Sequence, residues 1–520
     1  MIEKYLNNRF LILYISPFII GSLTTLSFQP FNLTIVNFFL LPIFFYLTVH
    51  ITKKSKSIYR KKPYKKNLFI FGLLFGFGFY LTGTSWITNS LTFDESYKKL
   101  IPLSLMLIPF FLGIFYGLFT LFLSWFNLRL KVCSILLFAA IFSIIEFIRG
   151  TVFGGFPWNL IAYSWTNYID NLQILSFIGT YSFNLLSITL FLSPLIWFMS
   201  MNKTKKIIFT LGFVSLILIN FFYGTYTVEN FNKKKLEKLE LNIKIISPKI
   251  EIKRYFEQDS IELIAKELIK LSNPDKSKKT IFIYPEGTFT GLYLDDLNYL
   301  HDIFKNNFSN NHKLVLGITS LEGKKIFNSM VVLNNNFELL SKYNKNKLVP
   351  FGEFLPFENL FKKAGIKKIT YGYNSFSPDI KRDLLIISDL KFLPLICYEI
   401  IYSGRLNKQK VNFDFILNIS EDGWFGKKIG PEQHFSHSVF RAIEEGKNII
   451  RSSNNGISAF INPKGKVIKK IESTQKGVIV INSLSYAETT IFSKHGNKIF
   501  FYFLIFYITL IFFLKKMKGS

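Results

Sequence analysis

Long apolar runs dominate this chain and constrain its fold more than any other feature. Each has the roughly 18–25 residues that a helix needs to cross a bilayer. They lie at residues 9–27, 33–51, 67–89, 101–126, 132–149, 170–200, 207–227 and 498–514. The first is not read as a signal peptide, because a second run follows it almost directly. The sequence therefore predicts a membrane α-helical bundle of about eight spans.

Basic residues recur in every second loop between these runs. They lie between Lys53 and Lys66 and after the fourth, sixth and eighth runs. Loops rich in Lys and Arg stay in the cytoplasm, so both termini are predicted to be cytoplasmic and the long polar segment extracytoplasmic. The predicted parts are a bundle of seven spans (1–227), an extracytoplasmic catalytic domain (228–496), and a last helix with a basic tail (497–520).

The formal net charge of +29 does not indicate nucleic-acid binding. Basic residues lie largely beside apolar segments, which favours a membrane surface, and we find no nucleic-acid-binding motif. The richness in Lys, Asn, Ile and Phe is also what AT-rich coding would produce. Cys133 lies in a predicted span and Cys397 in the polar segment, so no disulfide is expected.

The polar segment is typical of an α/β domain. Helical spacing places Ile261, Ile264 and Leu268 on one face of a helix at residues 259–271. Short apolar runs of strand length lie at residues 243–246, 280–284, 314–318, 384–387, 392–396 and 413–419. Alternating strands and helices predict a layered sheet with helices outside.

Two of these predicted strands end at chemically useful side chains. The run from Phe392 ends at Cys397, and the run from Ile281 ends just before Glu286. Sites in open α/β sheets form at the carboxyl ends of strands. Each residue alone has a plain alternative, a small buried cysteine or a strand-end carboxylate. Together they predict a nucleophile and the base that takes its proton.

A lysine-rich segment supplies the cation and further support. Lys345 is predicted to favour the thiolate and stabilise an oxyanion, although most lysines in such a segment are simply solvated. Glu353 and Glu399 are candidates for holding Lys345, and Tyr398 is a further supporting residue. His434 and His437 form a close pair without a convincing third ligand. No metal and no cofactor are therefore expected.

Several ordered motifs resemble a known family. They are Tyr284-Pro-Glu286, Tyr343-Asn-Lys345, Leu348-Val-Pro-Phe-Gly-Glu353, Cys397-Tyr-Glu399, Gly423-Trp-Phe-Gly426 and, in the membrane half, Gly155-Phe-Pro-Trp158. The polar domain resembles the nitrilase (carbon–nitrogen hydrolase) superfamily, with Glu286, Lys345 and Cys397 at its Glu-Lys-Cys triad. The whole chain resembles the bacterial apolipoprotein N-acyltransferase family.

The resemblance implies an αββα sandwich on the periplasmic side of the bacterial inner membrane. It implies a ping-pong reaction in which a phospholipid acylates Cys397 and the thioester passes to the α-amine of an S-diacylglyceryl cysteine on an apolipoprotein. A monomer is expected. Departures from the family's pattern at Ser247, Lys249, Phe256, Lys347 and Glu421 spare the triad and concern substrate contacts.

Other interpretations remain open at this point. A membrane-anchored amidase or nitrilase would use the same triad with water, although a hydrolase of small amides needs no eight spans. A non-catalytic scaffold is a third possibility, against which the intact triad argues. Phe357, Leu360 and Phe361 form an apolar stripe at helical spacing beside lysines. That stripe predicts either a lipid-access arm or a short core helix.

Overall fold

Residues 6–54, 64–255, 261–356, 358, 375–407 and 409–516 are described by a computed structural model of the chain. They form two compact units. One comprises Met1–Thr88, Lys99–Glu229 and Lys494–Ser520, and the other comprises Asn89–Lys98 and Asn230–Ser493. The predicted lipid-access stripe at Phe357, Leu360 and Phe361, and the departure at Phe256, lie outside the described residues.

Both units contain helices. The longer α-helices are α1 Ser16–Thr24, α2 Asn37–Lys54, α3 Tyr64–Gly83, α4 Ile101–Leu123, α5 Val132–Arg149, α6 Leu175–Phe191, α7 Lys203–Asn232, α8 Ile261–Ser272, α9 Ile429–Glu445 and α10 Lys498–Lys516. Shorter ones lie at Glu95–Lys98, Ile169–Leu172, His301–Lys305 and Ile491–His495. In the described part, seven helices are long and apolar enough to cross a membrane, and the apolar helical segment Leu11–Ser27 is shorter. The predicted membrane bundle is confirmed.

The third predicted run extends past its helix. α3 ends at Gly83, and a 3₁₀ segment occupies Ser85–Thr92. The Trp86 indole donates to the Gly83 carbonyl at 3.1 Å, and the Thr88 hydroxyl donates to the Ser85 carbonyl at 2.8 Å. Beyond Gly83 the apolar run therefore continues as a 3₁₀ segment instead of an α-helix.

The membrane unit packs aromatic rings around Phe44, which stacks on Phe75 with centroids 4.0 Å apart. It also buries an ion pair, with Arg149 Nη2 3.5 Å from Glu146 Oε1. The Tyr116 hydroxyl donates to the same carboxylate at 3.0 Å. Charged groups in membrane segments face the protein interior because lipid cannot solvate them. The Tyr116 hydrogen bond therefore ties α4 to the buried ion pair on α5.

The second unit contains two mixed sheets. Their strands are β1 Glu237–Ser247, β2 Thr280–Ile283, β3 His312–Glu322, β4 Lys325–Leu333, β5 Leu339–Asn344, β6 Leu385–Ile387, β7 Leu390–Ile396, β8 Phe415–Glu421, β9 Asn448–Asn454, β10 Ser458–Ile461, β11 Val467–Ile471 and β12 Gly477–Leu484. One sheet has the order β12-β1-β2-β3-β4-β5 and the other β11-β10-β9-β8-β7-β6. Parallel pairs join β1, β2 and β3, and also β7, β8 and β9. Each predicted apolar run falls largely within one of these strands.

Helices cover the outer faces of the two sheets. On the first sheet, Ile264 and Leu268 of α8 are buried in one cluster with Phe282 and Leu314. Between the sheets, the Ser452 hydroxyl on β9 donates to the Ile246 carbonyl on β1 at 2.9 Å. The architecture is the expected αββα sandwich. Its parallel strands place their carboxyl ends at a shared edge, where loops carry the polar side chains.

A short segment from the membrane half of the sequence belongs to this unit. The Asn89 side chain donates to the Gly423 carbonyl at 3.2 Å. The Phe93 ring meets the Trp424 ring edge-on, with centroids 5.6 Å apart. Asn89–Lys98 therefore groups with the sandwich, which the apolar pattern of the sequence did not indicate.

Glu445 makes the stability of the sandwich depend on pH. It is buried at the end of α9 and accepts from the Ser493 hydroxyl at 2.6 Å. Burial raises the pKa of Glu445 from its ordinary value of 4.5 to about 7. The folded state therefore favours the neutral acid. The neutral Glu445 side chain contributes about 3 kcal/mol to the free energy of unfolding. This contribution is fully present below pH 4.5 and is lost as the pH rises through 7.

Glu445→Gln is expected to raise the melting temperature of the purified protein at pH 8 and to leave it nearly unchanged at pH 4.5. Glutamine mimics the neutral acid and still accepts from Ser493. Exposed Glu488→Gln is the matched control. Thermal unfolding of both variants is measured from pH 4.5 to pH 8. An equal rise in the melting temperature at the two pH values would contradict the assignment of the pH dependence to Glu445.

Candidate active site

Glu286 and Cys397 follow the carboxyl ends of β2 and β7, one from each sheet. Gly317 on β3 lets the turn that carries Glu286 approach closely. A Cβ at Gly317 would lie 2.5 Å from the Glu286 Cα atom. Gly287, the next residue, has a φ of 59°, which favours glycine. The local sequence thus holds the Glu286 carboxylate at the edge of its sheet.

Lys345 lies just past β5, between two carboxylates. Its Nζ atom is 3.3 Å from Glu286 Oε1 and 2.9 Å from Glu353 Oε1. The three side chains are buried, with exposed fractions of 1% for Lys345, 8% for Glu286 and 5% for Glu353. Burial opposes the charge on Lys345, but Glu286 and Glu353 outweigh it and raise the pKa of the ammonium. The structure therefore places Glu353 where the sequence suggested, against a permanently charged Lys345.

Asn328 on β4 bridges the same two carboxylates, a contact that the sequence did not reveal. Its Nδ2 atom lies 2.7 Å from Glu286 Oε1 and 2.7 Å from Glu353 Oε1. An amide nitrogen has two hydrogens, so it can donate one to each carboxylate. The Glu421 backbone N–H donates to Glu286 Oε2 at 3.0 Å. An asparagine within a strand, where it has low propensity, was the only signal available in the sequence.

Asn328→Ala is expected to lower acyl transfer by about 10- to 100-fold while the fold is retained. It removes two hydrogen bonds to charged groups, each worth about 1.5–3 kcal/mol. Lys345 is then the side chain that still links the two carboxylates. Exposed Asn336→Ala, in the turn after β4, is the matched control. Steady-state rates of acyl transfer are compared for the two variants. Equal rates would contradict a role for Asn328.

Cys397 occupies a strained position at the end of β7. Its φ is 50°, in the left-handed region that non-glycine residues adopt at a cost of about 1–3 kcal/mol. Burial and the Glu286 charge raise the pKa of the Cys397 thiol well above its ordinary value, while Lys345 lowers it less. The resting group is therefore a thiol. A nucleophilic reaction requires a base to take its proton, and Glu286 is a carboxylate whose charge acts on this thiol.

Glu399 binds backbone groups around the site. The sequence made it a candidate for holding Lys345. Its carboxylate accepts from the Tyr343 hydroxyl at 2.7 Å and from Arg382 Nη2 at 2.7 Å. It also accepts from the backbone N–H groups of Ile396 at 2.9 Å and Asn346 at 3.1 Å. Glu399 thus joins the segment after Lys345 to the strand before Cys397. In the described residues, its bonds fix both segments and the Lys345 ammonium is held by Glu286 and Glu353.

The remaining sequence candidates pack around this centre. Tyr398 is buried and meets the Tyr402 ring edge-on, with centroids 5.5 Å apart. Two of the departures from the family's pattern are internal: Glu421 accepts from the Asn454 amide at 2.6 Å, and the Ser247 hydroxyl donates to the Ser453 carbonyl at 3.3 Å. These two side chains therefore serve the fold directly.

His434 lies in a buried ionic cluster. Its Nδ1 atom is 2.9 Å from Asp422 Oδ1 and 3.1 Å from Arg451 Nη2. Burial lowers the pKa of His434, so the ring is neutral. Among the residues that the structure describes, no three His, Cys, Asp or Glu side chains form a group that could hold a metal ion.

Comparison with known proteins gives the family. A model of the apolipoprotein N-acyltransferase N-terminal domain matches residues 20–191, and a carbon-nitrogen hydrolase model matches residues 298–489. An apolipoprotein N-acyltransferase of Rhizobium rhizogenes is 30% identical over 457 residues, covering 84% of this chain and 84% of that protein. The chain belongs to the apolipoprotein N-acyltransferase family. A second member, from Agrobacterium fabrum, is 28% identical over 94% of this chain and 93% of its own length.

Membership in the apolipoprotein N-acyltransferase family makes this protein an acyltransferase enzyme. A solved amidase from Nesterenkonia sp. AN1, with an acetamide group on its active-site cysteine, is 14% identical. It covers 48% of this chain and 93% of that one, with a TM-score of 0.34. The nitrilase-like fold assignment depends instead on the family model and the two observed sheets. The matched hydrolase region begins after Glu286, so the place of Glu286 in the site follows from its contacts.

Proposed function

We propose that this enzyme moves a fatty acyl chain from a membrane phospholipid to the α-amine of the S-diacylglyceryl cysteine at the N-terminus of apolipoproteins. The acyl chain passes through a thioester on Cys397. One observation carries the proposal: a strand-end thiol, a facing carboxylate and a buried ammonium converge at one edge of the sandwich. These are the parts required for acyl transfer through a covalent intermediate.

In the first half-reaction, Glu286 takes the proton of the Cys397 thiol as sulfur attacks the ester carbonyl. Lys345 stabilises the oxyanion of the tetrahedral intermediate. The carbon–oxygen bond of the ester then breaks. Glu286 returns the proton to the departing oxygen, which releases a lysophospholipid and leaves the thioester.

The second half-reaction uses the same groups in the same order. The lipoprotein amine attacks the thioester carbonyl, and Glu286 takes a proton from the attacking nitrogen. The carbon–sulfur bond breaks as the amide forms, and the proton returns to the sulfur of Cys397. Glu353 and Asn328 hold Lys345 and Glu286 in place throughout.

We also propose that the sandwich lies on the periplasmic side of the inner membrane and that both termini are cytoplasmic. Supporting this are the basic loops after every second apolar run. Within this scheme the domains are 1–227, 228–496 and 497–520, and the enzyme acts as a monomer.

The proposed function is tested with the purified enzyme, a labelled phospholipid and a short diacylated lipopeptide. We expect mass spectrometry to find one added acyl chain on the peptide amine, with lysophospholipid as the other product. The same lipopeptide with an acetylated amine is the matched control and should gain no acyl chain. Labelled free fatty acid as the only product, with and without the amine, would instead identify a hydrolase.

A further inference from the structure

Ser420 lies beside the proposed nucleophile. β7 and β8 run parallel with Ile396 opposite Ile419, so the next residues, Cys397 and Ser420, emerge side by side. Ser420 is fully buried, and its hydroxyl opposes the rise in the pKa of the Cys397 thiol that burial causes. The strand register therefore places a buried hydroxyl group next to the residue that carries the sulfur.

The same hydroxyl donates to a carboxylate on its other side. Ser420 Oγ lies 2.6 Å from Asp422 Oδ1. Asp422 has further partners, because His434 Nδ1 is 2.9 Å from Oδ1 and Arg451 Nη2 donates to Oδ2 at 2.6 Å. Asp422 therefore keeps strong bonds if Ser420 turns away from it.

Asp422 is surrounded by further contacts. Arg451 also donates to the Asn418 side chain and, at 3.1 Å, to the Ile457 carbonyl. Gly456 makes room for the carboxylate, since a Cβ there would lie 2.2 Å from Asp422 Oδ2. Asp422, His434 and Arg451 are each fully buried. The acceptor on the far side of Ser420 is thus fixed, and the hydroxyl hydrogen is the part free to turn.

A serine hydroxyl carries one hydrogen, which can point to only one strong acceptor at a time. With a neutral thiol, the ionised Asp422 is the stronger acceptor. Once negative charge develops on sulfur, the sulfur competes for that hydrogen. We propose that Ser420 is a catalytic residue whose hydroxyl turns from Asp422 to the Cys397 sulfur and donates to it as the thiolate forms.

This assignment rests on the proposed function, in which sulfur bears charge twice. Charge develops when Glu286 takes the thiol proton, and again when the carbon–sulfur bond of the thioester breaks. In both steps Ser420 keeps its proton and only redirects the hydrogen bond, so Glu286 remains the sole proton carrier. Asp422 keeps its bonds to His434 and Arg451 meanwhile.

The charged and polar groups that act on the Cys397 thiol determine whether a substitution raises or lowers the pH at which it ionises. Glu286 and Asp422 raise the pKa of Cys397 together with burial, whereas Lys345 and the Ser420 hydroxyl lower it. Removing the hydroxyl should therefore raise the pH at which the thiol ionises. Removing the Asp422 charge should lower that pH. A general loss of packing would not shift the pH of thiol ionisation in opposite directions in the two variants.

The test compares Ser420→Ala with Ser452→Ala in the full-length enzyme. Ser452 is an equally buried serine on β9 whose hydroxyl donates to a backbone carbonyl. In Ser420→Ala we expect the pH midpoint of Cys397 alkylation by iodoacetamide to rise. Single-turnover rates of thioester formation and aminolysis should fall about 10- to 100-fold, as for a lost hydrogen bond to a charged group. An unchanged midpoint and unchanged rates would overturn the proposal.

Asp422→Asn provides the second arm, which is needed if Ser420→Ala does not fold. Its alkylation midpoint should fall below that of wild type, and a rise would overturn the proposal. Alkylation requires no lipid, so these shifts are measured independently of acyl transfer. If the wild-type enzyme forms no thioester, the proposed function fails while the opposite shifts still assign Ser420 to the sulfur.

Discussion

Lys345→Met should reduce acyl transfer at least about 100- to 1000-fold, the loss associated with one oxyanion donor. Methionine preserves much of the side-chain volume but leaves Glu286 and Glu353 buried without their cation. Breaking a buried ion pair by removing one partner costs about 3–5 kcal/mol, so the melting temperature should also fall. Rates with phospholipid and lipopeptide, together with thermal unfolding, measure both effects.

Lys342→Met is the matched control for this variant. Lys342 lies on β5, just before Lys345, and its ion pair with Glu322 is partly exposed at the surface. Surface pairs contribute only about 0–1 kcal/mol, so transfer and melting temperature should stay near those of the wild type. Near-normal thioester formation in Lys345→Met would exclude Lys345 as the group that stabilises the oxyanion.

Glu286→Gln should slow acyl transfer and, at the same time, speed the alkylation of Cys397. Loss of the general base should lower both half-reactions by about 10²- to 10⁴-fold. The negative charge of Glu286 raises the pKa of Cys397. Its removal lowers that pKa, so alkylation of Cys397 at neutral pH should become faster. Transfer assays and iodoacetamide alkylation at pH 7 measure these opposite changes on one protein.

Glu267→Gln serves as the control, since Glu267 pairs with Lys476 at the surface. It should change neither transfer nor alkylation. If Glu286→Gln lowered the rates of both acyl transfer and Cys397 alkylation, the substitution would have disrupted the whole site. If transfer continued at the wild-type rate, another group would have to be the base.

The sequence predicted the parts of the fold that follow from local patterns. Apolar runs of sufficient length predicted the membrane helices, because the bilayer demands about 20 apolar residues per span. Strand-length runs ending at Glu286 and Cys397 placed both residues at the carboxyl ends of strands, where sites in α/β sheets form. That the two strands belong to different sheets follows from the observed topology. Glu353 was also predicted as a partner of Lys345, and its distance of 2.9 Å agrees with this.

The rest of the site depends on contacts between distant segments. Asn328 bridges two carboxylates because β4 lies beside β3 and β5 in the sheet, an arrangement that no local pattern encodes. Glu399 binds Arg382 and Tyr343 because the segment after β5 passes next to β7, so its partners could not be read from spacing. Ser420 became recognisable only once the register of β7 and β8 was known.

In the proposed mechanism, Cys397 carries the acyl chain as a thioester. The most direct test incubates the wild-type enzyme with phospholipid and without any amine acceptor, followed by intact-mass analysis and peptide mapping. We expect one added acyl chain on the peptide that contains Cys397. That adduct should disappear when lipopeptide is added, and Cys397→Ala should form none. No adduct on the wild type, together with normal transfer by Cys397→Ala, would contradict this mechanism.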